Sequence, residues 1–206
     1  PPGAQRRSVV QSRLGDARHR LGNGYGAGII IMGGLTGDLN GMVLTVDDLD
    51  IENMAYFNYC AKNDFRLQKC TENGLLRYPP TTRCPFSGSP NSEWVSVDPK
   101  GEVHSYNEVH HAIQPAFKGL TPYMLLLVEL ETQKGKPTEH DGVRVAGNLV
   151  TPDGEFAPPD LIKQVGIGSR MRMVFKPVGD GIALPMWTLD EDAEQPGKPW
   201  RYPQED

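Results

Sequence analysis

The run from Gly101 to Leu130, GEVHSYNEVHHAIQPAFKGLTPYMLLLVEL, limits what this chain can fold into more than any other. It reads as two strands joined by an irregular loop. Val103 to Val109 alternates imperfectly. Tyr123 to Leu130 is continuously apolar up to Glu129, so it is expected to be buried on both faces. Between them, His110-His111-Ala112-Ile113-Gln114-Pro115-Ala116-Phe117 mixes polar, aromatic and proline residues. Loops of that kind on a rigid scaffold often carry function.

The rest of the second half has the same grain. Val143 to Val150 alternates, with Val143, Val145 and Leu149 on one side. Pro158 to Gln164 reads as a short helix stopped at Gly166-Ile167-Gly168. Arg170 to Phe175 places Met171, Met173 and Phe175 inward and Arg170 and Arg172 outward. Val178-Gly179-Asp180-Gly181 is a hairpin turn, and Ile182 to Leu189 returns as a strand that Pro185 marks as an edge. Trp94 to Val97 reads as a strand ahead of a turn at Asp98-Pro99-Lys100-Gly101. Several short strands with one short helix before the last two suit a small, partly open barrel of the OB type over residues 99–190. The tail, residues 191–206, is acidic and carries proline, Trp200 and Tyr202. It reads as disordered or as a partner-docking tail.

Residues 1–46 differ. Arg6, Arg7, Arg13, Arg18 and Arg20 precede a glycine-rich run. Its spacing fits neither phosphate-loop pattern, so an extended arm lying on another surface is expected. Residues 47–98 hold a helix from about Leu49 to Lys62, with Thr45-x-x-Asp48 as its capping box. Its apolar stripe is expected at Ile51, Met54, Phe57 and Ala61. Phe65 to Lys69 should be a strand.

Two half-knuckles follow, Cys70-Thr71-Glu72-Asn73-Gly74 and Cys84-Pro85-Phe86-Ser87-Gly88. A zinc ribbon closes with two C-x-x-C turns. Here Asn73 and Ser87 stand where the second cysteines would be, and neither is an ordinary zinc ligand. A ribbon shape that persists without metal is therefore expected, with Cys70 and Cys84 as remnant ligand positions. A site rescued by Cys60 or a histidine is the other reading. Arg77-Tyr78-Pro79-Pro80-Thr81 between the knuckles must be extended. It is either a stiff linker or an aromatic and proline wall for a ligand.

Composition sets the outer bounds. The formal net charge over 206 residues is -5, which argues against a phosphate-binding groove. High Gly (23) and Pro (18) favour short strands and turns over a helical bundle. No apolar run is long enough to span a bilayer. Three cysteines, an odd number, do not suit a secreted disulfide scaffold, so a cytoplasmic location is expected.

FRLQKC, the two half-knuckles, RYPPTTRCP, GEVHSYNEVHHAIQPAF, PYMLLLVEL and VGDGIALPMW occur in one family's order. Over residues 47–190 the chain resembles the acyl-CoA-associated family with an N-terminal helix, a rubredoxin-like zinc ribbon and a C-terminal OB-fold barrel. Members are mostly partner subunits of thiolase-like enzymes. Examples are the archaeal acetoacetyl-CoA thiolase and hydroxymethylglutaryl-CoA synthase assembly, phloroglucinol acetyltransferase, benzoylsuccinyl-CoA thiolase and steroid side-chain aldolases. The resemblance implies a mainly β, non-catalytic subunit in a hetero-oligomer with a thiolase-like catalytic subunit. That partner would carry the chemistry, with a coenzyme A thioester as substrate of the complex; no cofactor is expected on this chain, the family's zinc being put in doubt by Asn73 and Ser87 in place of two cysteines. It also implies that Tyr78, Pro79, Pro80, His110, His111 and Phe117 lie near the partner interface beside the acyl-CoA entrance. Pro115 would fix the loop, Phe117 would offer a flat apolar surface, and His110 would hydrogen-bond a carbonyl or phosphate. The alternatives are an enzyme in its own right, with His110 or His111 as base oriented by Glu108, and an OB-fold nucleic-acid binder.

Overall fold

The computed structural model describes residues 33–202. The described region starts with a hairpin of β1 (Leu35–Leu39) and β2 (Met42–Val46), paired antiparallel. Its turn is Asn40-Gly41, with φ of 54° and 82°, the left-handed pair that a two-residue hairpin needs. Asp38 Oδ1 accepts from the Gly41 amide at 2.9 Å. Leu35 and Leu39 are buried, Leu35 beside Met54 and Ile182, and Leu39 beside Val150 and Met186. The arm expected to run to residue 46 therefore ends earlier, because alternating apolar residues around Asn-Gly fold back. Its first 32 residues lie outside the described region.

α1 (Ile51–Ala61) begins at Asp50, whose side chain accepts from the Asn53 amide at 3.2 Å. The capping box at Thr45 and Asp48 does not form, because Thr45 already belongs to β2. The buried stripe is Met54, Tyr56 and Cys60, and Ile51 is exposed. A three-stranded sheet in the order β4-β3-β5 follows, from β3 (Arg66–Cys70), β4 (Leu76–Arg77) and β5 (Ser92–Ser96).

The main sheet has the order β10-β9-β6-β7-β8. Its strands are β6 (Lys100–Val109), β7 (Tyr123–Leu130), β8 (Arg144–Asn148), β9 (Arg170–Gly179) and β10 (Ile182–Leu189). β6 begins inside the turn expected at Asp98 to Gly101. Gly101 permits this, since a Cβ there would lie 2.2 Å from the Glu129 carbonyl oxygen. His104 is the extra residue of a bulge between Val103 and Ser105. α2 (Pro159–Gln164) lies between β8 and β9. β10 is an edge of the ladder, as Pro185 indicates. The sheet curls until Leu149 bridges Trp187, so the barrel is nearly closed.

β7 is buried on one face rather than two. Met124, Leu126, Val128 and Leu130 are inside, whereas Leu125 is 41% exposed. A run of leucines does not encode which face is covered, because that depends on what packs outside the barrel. One core joins the parts: Tyr56 and Cys60 of the helix and Leu67 and Leu76 of the small sheet cluster with the barrel side chains and Trp187.

Candidate functional site

The two cysteine turns fold alike. Gly74 N bonds Cys70 O at 2.9 Å and Gly88 N bonds Cys84 O at 2.8 Å, and each glycine has φ of +73°. Asn73 Oδ1 accepts from the Leu75 amide at 3.0 Å, and Ser87 Oγ accepts from the Ser89 amide at 3.3 Å. The same two side chains cross between the turns. Asn73 Nδ2 donates to Cys84 Sγ at 3.6 Å, and the Ser87 hydroxyl and Cys70 Sγ hydrogen-bond at 3.5 Å. Burial pushes the Cys84 thiol up. Hydrogen bonds from Ser87, from the Phe86 and Ser87 backbone and from Asn73 outweigh it and hold the thiol at about 6. Cys60, under α1, goes the other way: burial pushes it up to about 12. It does not join the turns.

The expected wall at Tyr78 to Pro80 turns largely inward. Tyr78 is half-buried with its ring 5.9 Å from Tyr56, and burial pushes its phenol up. Pro80 is buried and Pro79 exposed. Arg77, read as part of a linker, is a buried guanidinium on β4. It donates to Gln68 Oε1 at 3.1 Å and Ser92 Oγ at 2.7 Å.

The loop after β6 divides. His110, His111 and Ile113 are exposed, Ile113 to 87%. Ala112 is buried and anchors the loop. Phe117, in a 3-10 turn over Pro115–Leu120, is half-buried in an aromatic trio. It lies 5.2 Å from Tyr123 and 5.8 Å from Phe156, centroid to centroid. No hydrogen bond or ring contact joins this loop to Tyr78 among the described residues.

Glu108 ties the loop to the C-terminal segment. Its Oε1 lies 3.3 Å from His110 Nε2, and its Oε2 accepts from Arg201 Nη2 at 2.6 Å. Arg201 also donates to the carbonyls of Ile162 and Val165, filling the open end of α2. Its guanidinium stands 5.4 Å from the Tyr106 ring centroid. Trp200 and Ile167 exchange backbone bonds at 2.9 and 3.0 Å. The expected acidic tail is therefore bound to its own barrel through Tyr202. Residues 203–206 lie outside the described region.

A cleft of about 410 Å³ separates the small sheet from the barrel. Lys69 and Lys136 line it together with Leu76, Val97 and Gln133, and none of the expected binding residues does. Gln133, from the polar loop after β7, spans the two halves. Its Oε1 accepts from the Leu76 amide at 2.7 Å, and its Nε2 donates to the Leu76 carbonyl at 3.1 Å. Nothing in the Thr132 to Gly142 sequence marks Gln133 for that role. Arg201 carries a weak signal, an arginine between two aromatics.

The sequence pattern of the ChsH2 C-terminal OB-fold domain matches residues 94–176, from β5 through most of β9. A DUF35 domain-containing scaffold protein of Methanothermobacter thermautotrophicus is 31% identical over 111 residues, covering 53% of this chain and 70% of that protein. The chain belongs to the DUF35 family. A second relative, a probable enoyl-CoA hydratase alpha subunit of Thermomonospora curvata, is 33% identical over 99 residues. That match covers 48% of this DUF35 chain, which spans only 28% of the relative's length. Among solved structures, the Ltp2-ChsH2(DUF35) aldolase superposes with a TM-score of 0.53 at 27% identity, over 70% of this chain and 98% of that one. Among the described residues no helix is long and apolar enough to cross a membrane.

Proposed function

We propose that this DUF35 chain is a non-catalytic OB-fold subunit of a thiolase-superfamily complex that acts on acyl-CoA or ketone substrates. The observation that carries the reading is its likeness to nearly the whole of the DUF35 chain in the Ltp2-ChsH2 aldolase. The scaffold and hydratase-subunit names of the two relatives agree with it. The partner would perform carbon–carbon bond formation or cleavage, or acyl transfer, on a coenzyme A thioester. This chain would bridge subunits and shape the substrate channel. The exposed His110, His111, Ile113 and Pro79 are free to meet that partner.

The geometry supports a subunit over an enzyme in its own right. Nucleophilic catalysis needs a hydroxyl or thiol beside a base. In the hydrogen bonds of the described residues no Ser, Thr or Cys side chain meets a histidine. Glu108, the carboxylate beside His110, is shared with Arg201.

The test is co-purification from the native extract, followed by assays of the isolated chain and of the complex. A thiolase-like partner, with turnover only in the complex, is the expected result. Turnover of an acyl-CoA by the isolated chain would overturn the reading, and so would salt-sensitive binding to single-stranded nucleic acid with no protein partner.

A further inference from the structure

The paired turns of the small sheet hold a donor set that zinc does not fit. Structural zinc takes four ligands from cysteine, histidine or carboxylate. The turns offer two thiols, one amide and one hydroxyl, and among the described residues no group of three or more His, Cys, Asp or Glu forms a metal cage. The polar replacements instead bind the sulfurs. Asn73 of the first turn donates to Cys84 of the second, and Ser87 of the second turn meets Cys70 of the first. Each sulfur is thus held by a side chain of the opposite turn, which brings the two thiol-bearing turns face to face. Both are shielded, at 0% and 2% exposed for Cys70 and Cys84.

We propose that Cys70 and Cys84 are a dithiol–disulfide pair that closes the ribbon where a metal otherwise would, with hydrogen peroxide as the oxidant. Cys84, as the thiolate held by Asn73, attacks one peroxide oxygen. The O–O bond breaks, and the leaving hydroxide takes up the proton Cys84 had released and departs as water. Cys84 becomes a sulfenic acid. The Cys70 sulfur then attacks the Cys84 sulfur, the S–S bond forms, and the S–O bond breaks. The departing hydroxide leaves as a second water with the Cys70 proton. The two cysteines lose two electrons, and one peroxide becomes two waters. Burial selects the reagent, because a small peroxide reaches the pair where a protein-sized thiol does not. The third thiol, Cys60, lies in the main core beside Tyr56 and has no thiol partner.

The experiment uses the full chain, reduced and desalted, treated with hydrogen peroxide and then alkylated after denaturation. The expected result is a peptide linking Cys70 to Cys84, with Cys60 alkylated and the melting temperature raised. Cys70→Ser should give no link and no rise, but should leave Cys84 as a sulfenic acid that dimedone captures. The double variant Asn73→Cys, Ser87→Cys should take up about one zinc per chain, the content of an intact four-thiolate site, and then resist linkage. Any of three results would overturn the proposal: about one zinc in the wild-type protein prepared under reducing conditions, a link that involves Cys60, or Cys70 and Cys84 fully alkylated at a peroxide dose that links them in the urea-unfolded chain.

Discussion

The barrel and the paired turns are both small β structures that must hold themselves shut, and they do so by different physics. The barrel is filled. Trp187 is fully buried among Met124, Leu126, Val128 and Met171, and its one polar atom is satisfied by the Val145 carbonyl at 3.1 Å. Such burial is non-directional and rises with apolar area removed from water. The turn region has a β4 of only two residues, and Gln68, Arg77 and Ser89 are buried there. Its cohesion is directional: each polar group depends on one or two named partners. A core of the first kind accepts side chains of similar volume. A polar network fails when one member goes, because the others are left buried and unpaired.

Trp187→Ala should break the barrel and with it the whole chain, at a cost of about 3–5 kcal/mol in denaturant unfolding. The helix and small sheet share its core, so the loss should appear as one transition. Gln133→Ala should cost less, about 1–3 kcal/mol, since it strands the Leu76 amide and carbonyl. Hydrogen exchange should then quicken at Leu76 and leave β6 and β7 protected. Equal exchange everywhere would mean the two regions are not separable. Arg201→Ala should cost roughly 1–2 kcal/mol, because it opens the end of α2 and leaves Glu108 without its cation, with solvent screening reducing the ionic part. The loss should be confined to amides at Ile167 and Trp200.

The effects of pH sharpen the same contrast. The thiol of Cys84 is held at about 6 in the folded chain against an ordinary value of 9.0. A depressed acid contributes stability that is fully present above its unfolded value and lost as pH falls through the folded one. Stability should therefore rise between about pH 6 and 9, and Cys84→Ser should flatten that rise. Asp190, beside the barrel, is held below its ordinary 3.8 mainly by its hydrogen bond with Lys100, at 2.8 Å. Its contribution is present above 3.8 and lost as pH falls below that value. Asp190→Asn should remove that acid-side loss and leave the slope between pH 6 and 9 unchanged.

The strands of the second half were readable because alternation, proline and turn chemistry agree there. Met171 and Met173 point inward, and the β9–β10 turn falls at Gly179 to Gly181. The OB-type barrel follows from their order. The first hairpin was equally legible, since Asn40-Gly41 lies between alternating apolar residues, but the surrounding glycines masked it. Gly37 is one of them, and it serves packing: a Cβ there would lie 2.8 Å from the Val178 carbonyl oxygen. Other features were not legible from local pattern. Asn73 and Ser87 can be seen as missing ligands, yet their crossing to the opposite sulfur depends on how two distant turns meet. The same holds for Gln133 with Leu76 and Arg201 with Glu108, which are tertiary contacts between polar residues in loops. Tyr78 turned inward because the Tyr56 ring on α1 lies there to receive it, a pairing no spacing rule predicts.

The strand order has a consequence for how the chain is made. β6 pairs with β7, and β7 with β8, all close in sequence. The other edge of β6 waits for Arg170 to Arg172 of β9, some seventy residues later in synthesis. Until those residues emerge from the ribosome, β6 presents unpaired amides and carbonyls, with Val103 uncovered, to whatever other chains are nearby. Lys100, Glu102 and His104, charged or polar side chains along that waiting edge, guard against pairing between two nascent copies.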